Sequence, residues 1–199
     1  MSTKKVIAIA TDIECSSFDM IGGDLLTAAM VEIYEDYTLG RMGCWYHRPT
    51  GPKYYSEKAR EIHGISYWKA LTFPMASESC IMMLRWLAEI QDCFPLEFVY
   101  HAKNKFDWSW MKMHFKKQEM EQSILKAFGN DMDDNKIVST HKMAKENLVH
   151  LEDHKLPTIC KEMGIELTHH EALSDAIAAA KIYCNIKTGQ KIWTGELGV

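Results

Sequence analysis

The stretch Val6-Ile7-Ala8-Ile9-Ala10-Thr11-Asp12-Ile13-Glu14 decides the reading of this chain. Small and β-branched apolar residues run without interruption into two carboxylates one residue apart. A continuous apolar run of this length reads as a strand covered on both faces, at the centre of a sheet. Side chains alternate along a strand, so Asp12 and Glu14 point the same way. Two like charges side by side at the end of a buried strand repel. They need a cation, a shared proton or good solvation. The cation that suits them is a pair of divalent metal ions.

Working outward, the spacing predicts strands over 25–34 and 40–47, joined by a turn at Glu35-Asp36-Tyr37-Thr38. Pro49-Thr50-Gly51-Pro52 is a loop, and 56–61 a short helix ahead of His63-Gly64-Ile65. Residues 76–92 carry apolar side chains at 81, 84, 87 and 90, an amphipathic helix. Leu96 to His101 is a second inner strand. A Trp-, Met- and Lys-rich helix opens at Asp107 and runs to 117. A helix over 119–128, a polar loop over 129–135, a short strand over 136–139 and helices over 140–148, 157–163 and 171–187 follow. Strands first, then strands alternating with helices, predict an α/β layered domain with a central mixed sheet.

The chain has 199 residues, 47% hydrophobic and 25% charged, the composition of an ordinary globular domain. No apolar run is long enough to span a bilayer. The N-terminus turns charged too early for a secretory signal. Six cysteines (15, 44, 80, 93, 160 and 184) show no zinc spacing and read as reduced thiols. The expected location is therefore intracellular and cytoplasmic, with association to a nucleoid left open. A net charge of −4 argues against gripping long duplex DNA by its phosphates. It argues less against meeting a strand end through bound cations.

The last helix carries the second signal. Leu173, Ile177, Ala180 and Cys184 form one apolar stripe, and Ala172, Ala176 and Ala179 a second of small residues with Asp175 beside it. A helix apolar nearly all round is sandwiched, so Asp175 is carried into a packed region, where a lone carboxylate is costly. His170 stands before the helix start. Asp12-Ile13-Glu14, then Phe106-Asp107, then His170-Glu171-Ala172-Leu173-Ser174-Asp175-Ala176 resembles, in order, the three motifs of the DEDDh 3′→5′ exonucleases, the superfamily of ribonuclease T, oligoribonuclease and the proofreading subunit of DNA polymerase III. His63-Gly64-Ile65 resembles a loop found between the first two motifs. Two features depart from the pattern. His101 and Asn104 are displaced from the His-Asn pair that commonly precedes the second aspartate, and Cys15 follows the first motif where Thr is common.

The resemblance implies a ribonuclease H-like exonuclease fold, with residues 1–199 forming one exonuclease domain, its core about 5–187 and its tail 188–199. It implies a metal-dependent 3′→5′ exonuclease releasing nucleoside 5′-monophosphates from single-stranded DNA or RNA. Asp12, Glu14, Asp107 and Asp175 would hold two ions, Mg²⁺ or Mn²⁺, which suit hard oxygen donors. His170 would be the general base. Ile13, Cys15, His63, Ile65 and Phe106 would contact the terminal nucleotides. The partners implied are single-stranded 3′ ends, without a membrane; a homodimer or a polymerase complex stays open. The rival reading is a catalytically silent nucleic-acid-binding module. Of the remaining residues, His169 serves as the control for His170. His47, His114, His141, His150 and His154 read as surface or satisfied core. Trp108, Trp110, Met111 and Met113 read as core. Lys103, Lys105, Lys112, Lys116 and Lys117 are candidates for a phosphate-contacting rim, with Phe18 or Trp108 stacking on bases. Asp131, Asp133 and Asp134 read as solvated loop charge.

Overall fold

A computed structural model describes residues 4–90, 95–129 and 136–189. Five strands form one mixed sheet: β1 (Val6–Cys15), β2 (Leu25–Tyr34), β3 (Leu39–Tyr46), β4 (Glu97–Tyr100) and β5 (Ile137–Ser139), in the order β3-β2-β1-β4-β5. β1 lies at the centre, as its apolar run requires. It pairs antiparallel with β2, setting Asp12 opposite Ala29 and Glu14 opposite Thr27. It pairs parallel with β4 through Ala8, Ile9 and Ala10. The helices are α1 (Glu57–His63), α2 (Tyr67–Ala70), α3 (Ala76–Ala88), α4 (Phe106–Lys117), α5 (Glu121–Phe128), α6 (Thr140–Asn147), α7 (Leu156–Met163) and α8 (Ala172–Thr188).

The two faces of β1 meet different neighbours. Ile9 and Ile13 join a cluster of large side chains that includes Phe98, Trp108, Trp110, Phe115 and Phe128 under α3, α4 and α5. Ala8 and Ala10 face Ala172, Ala176 and Ala180 of α8. Spacing of four along α8 keeps those alanines on one side, and their size lets helix and strand approach closely. The back of α8, with Ala178 and Ile182, packs on Leu156, Ile159, Cys160 and Met163 of α7. The sandwiched helix of the sequence reading is therefore present, with its sheet-facing stripe at 172, 176 and 180.

Several boundaries shift for local reasons. α5 starts at Glu121 because Glu119 has φ 59°, a left-handed conformation that no helix continues. α3 buries Ser79, Cys80, Met83 and Leu87. Of the stripe expected at 81, 84, 87 and 90, Leu84, Leu87 and Ile90 pack on the core and Ile81 is 40% exposed. The end of the helix expected at 92 and the acidic loop at Asp131, Asp133 and Asp134 fall outside the described residues, as does Cys93. The cysteines among the described residues are all free. Trp108 is 1% exposed and packed against Phe98 and Phe128, so it is core and cannot stack on a base.

Candidate active site

β1 runs on past its apolar stretch through Cys15, carrying Asp12 and Glu14 beyond Ala8 and Ala10 on the face toward α8. The close approach of α8 brings Asp175 to them. Carboxylate oxygens of Asp12, Glu14 and Asp175 lie within 4.8 Å of one another. Asp107, in the first turn of α4, is 5% exposed. It reaches the same place from the end of β4, and its charge bears on Asp12 more strongly than those of Glu14 and Asp175.

This crowding sets the protonation of all four. Burial, then repulsion by Asp107, Glu14 and Asp175, pushes Asp12 well above the carboxylate range. Burial and the charges of Asp175 and Asp107 push Glu14 up to about 8. Asp107 rises to about 7, chiefly through burial. Asp175 is raised by burial, against the opposing pull of His169 and the His170 backbone. Four clustered oxygen donors whose charged forms are disfavoured have the chemistry of a divalent-cation site. The donor set fits such ions.

The histidine motif has a backbone explanation. His170 has φ 67°, outside the helix, and its N–H donates to Asp175 Oδ2 at 3.0 Å. A side chain near the start of a helix thus reaches back over the preceding residues, as in a capping box. The five-residue spacing between His170 and Asp175 closes that loop. His169 Nδ1 lies 3.2 Å from Asp175 Oδ2, and the two imidazoles stack with centroids 3.7 Å apart. His169, the intended control, thus touches the carboxylate directly. Sequence reasoning missed it because one spacing cannot tell two adjacent histidines apart. Desolvation, then the neighbouring His169, lowers the pKa of the exposed His170 ring.

A cavity of about 780 Å³ opens over the carboxylates, a volume ordinary for small-ligand sites. Asp12, Ile13, Glu14, Phe106, Asp107, His169, His170 and Asp175 line it. Of the expected nucleotide contacts, Ile13 and Phe106 are on this wall. Cys15, His63 and Ile65 are not among its lining residues. They brace its edge instead. The Ile65 N–H donates to His63 Nδ1, which makes Nε2 the protonated nitrogen, and it donates to the Cys15 carbonyl at 3.2 Å. His63 is near enough to His170 for each charge to oppose the other. Ile65 packs with Leu26, Ala70 and Phe73. Phe18, 51% exposed, and Lys103 belong to the rim. So do Asn104, His101, His141 and Lys155, of which Lys155 carries no signal in its local sequence. Lys117 donates to the Gly23 carbonyl and is absent from the lining, as are Lys105, Lys112 and Lys116.

The sheet order, with helices on both faces and strand ends converging on a cavity, is that of the ribonuclease H-like exonucleases. The exonuclease family model of ribonuclease T type matches residues 9–183, and the chain belongs to that family. Its DEDDh-type resemblance is thereby placed in the right superfamily. No curated protein matches the sequence. Among solved structures, the chain is similar to exonuclease I with product bound, at 14% identity and a TM-score of 0.73, over 94% of this chain and 44% of that one. It is similar to E. coli exonuclease I in complex with a dT13 oligonucleotide, at 16% identity and a TM-score of 0.73, over 92% and 41%. A zinc-bound form of an E. coli exonuclease I complex with single-stranded DNA gives 15%, 0.69, 94% and 41%. The chain spans less than half the length of these structures. Among the described residues no helix is long and apolar enough to cross a membrane.

Proposed function

We propose that this chain is a metal-dependent 3′→5′ exonuclease of DEDDh type, acting on single-stranded 3′ ends and releasing nucleoside 5′-monophosphates. The observation that carries the reading is the meeting of Asp12, Glu14 and Asp175 within 4.8 Å, from sequence positions more than 160 residues apart, with Asp107 coupled to them. Asp12, Glu14 and Asp175 would hold one divalent ion and Asp107 would help hold a second, with Asp12 shared. Bound Mg²⁺ or Mn²⁺ supplies charge stabilisation for the phosphoryl oxygens and acidifies a water.

The chain's own groups supply the rest. His170 is exposed at the cavity mouth and depressed in pKa, so it is neutral and able to accept a proton from water near pH 7. His169 steadies Asp175 from the other side of the imidazole stack. Ile13 and Phe106 offer apolar surface for the terminal sugar and base. Phe18 offers a ring for the base behind it, and Lys103 and Lys155 offer charge for its phosphates. The single-strand preference rests on the similarity to exonuclease I complexes with single-stranded DNA; whether DNA or RNA is preferred turns on contacts to the 2′-hydroxyl.

The test is digestion of 5′-labelled DNA and RNA oligonucleotides side by side, with Mg²⁺, with Mn²⁺ and with chelator. A ladder shortening from the 3′ end, dependent on the ion, is expected. Binding of the oligonucleotide with no cleavage under any ion would establish the silent module instead.

A further inference from the structure

On the opposite face of the sheet from the carboxylates, three ligating side chains meet in the core. His47 follows β3, Cys80 lies on α3 and His114 on α4; they are 0%, 0% and 3% exposed. One donor atom from each lies within 4.8 Å of the others. His114 Nε2 is 3.1 Å from His47 Nδ1, with the rings nearly perpendicular. We propose that His47, Cys80 and His114 form a second metal site, for a zinc-like ion, that clamps α3 and α4 to the end of β3.

The spacing of the two imidazoles admits an ion in place of the hydrogen bond. Zinc–nitrogen bonds of about 2.0–2.1 Å in a tetrahedron put two nitrogens about 3.3 Å apart, close to the spacing of the pair. Two imidazoles and a thiol also form a soft donor set, which selects zinc-like ions over the magnesium that suits four carboxylates. Burial holds His47 down to about 4 and His114 well below its usual value, so both are neutral and ready to bind. Burial holds the Cys80 thiol up to about 12, so coordination must displace its proton to solvent. The charge of Lys117 bears on His114, and its ammonium is held by the Gly23 carbonyl. The clamp would act on the body of α4, whose first turn carries Asp107.

Protein produced with zinc supplied and then dialysed against chelator is assayed for metal by mass spectrometry, as wild type, Asp12→Ala and Cys80→Ser. We expect one zinc per chain in wild type and in Asp12→Ala, and a loss of at least tenfold in Cys80→Ser. Wild-type protein without zinc overturns the proposal. So does zinc that survives Cys80→Ser but leaves with Asp12→Ala, which would place it at the carboxylates. Should Cys80→Ser fail to fold, Co²⁺-loaded Asp12→Ala decides: a thiolate-to-cobalt charge-transfer band supports the site, and its absence refutes it. None of these readouts depends on nuclease activity, so failure here leaves the proposed function standing.

Discussion

The two faces of β1 solve different problems. Toward α3, α4 and α5 the strand presents Ile9 and Ile13 to a layer of tryptophans and phenylalanines. Toward α8 it presents Ala8 and Ala10 to more alanines. The first face buries large apolar area and carries most of the hydrophobic stabilisation, since that scales with area removed from water. The second gives up area for distance. Only small side chains let α8 lie close enough for Asp175 to meet Asp12 and Glu14. One layer holds the fold together and the other sets the spacing of the acids.

The comparison breaks first at the acids. Asp12→Ala or Asp175→Ala is expected to abolish nucleotide release, while circular dichroism shows the fold intact. Either variant keeping full activity would remove the site assignment. Next comes the imidazole stack. His170→Ala is expected to lower kcat by about 10²–10⁴, the range for a general acid–base. His169→Ala should cost about 10–100-fold, through Asp175 and not through proton transfer, the range for a group that orients a metal ligand. Equal losses for the two would mean that the stack works as a unit.

The faces themselves are separated by a pair of substitutions. Phe128→Ala, on the aromatic side, is expected to cost about 3–5 kcal/mol of stability and leave the kcat of the folded fraction unchanged. Ala176→Leu, on the α8 side, should cost about 1–3 kcal/mol but depress kcat well beyond what the unfolded fraction explains. Denaturant melts paired with active-site titration read both. If Ala176→Leu loses stability alone, closeness of α8 is not what positions Asp175.

The last effect is on pH. Glu14 and Asp107 have folded values of about 8 and 7, above their ordinary 4.5 and 3.8. Between those ranges the folded state binds more protons than the unfolded one. Stability of the metal-free protein therefore falls as pH rises from about 4.5 to about 8 and levels off beyond. Saturating Mg²⁺ or Mn²⁺ should flatten that slope, because the ion replaces the protons. Melting temperatures across the range, with and without metal, check the sign; a rise with pH in the metal-free protein would contradict the crowding of the acids.

Much of this was legible along the chain. A run such as Val6 to Ala10 has no reasonable place except a covered central strand, because so many adjacent apolar side chains need burial on both faces. Alternation along that strand put Asp12 and Glu14 on one side, and the alanine-rich final helix announced a close packing partner. These are local consequences of period and size, and the sequence carries them without help. What it left undecided needed distances between segments remote in sequence. The exposure of Ile81, the burial of Trp108 and the contribution of Lys155 to the cavity rim depend on which neighbour each surface meets. The contact of His169 with Asp175 depends on a left-handed turn at His170. The meeting of His47, Cys80 and His114 spans 67 residues between its ends, and no spacing rule reaches across three elements. Tertiary packing alone decides such matters, because through-space contact, and not position along the backbone, sets charge, burial and coordination.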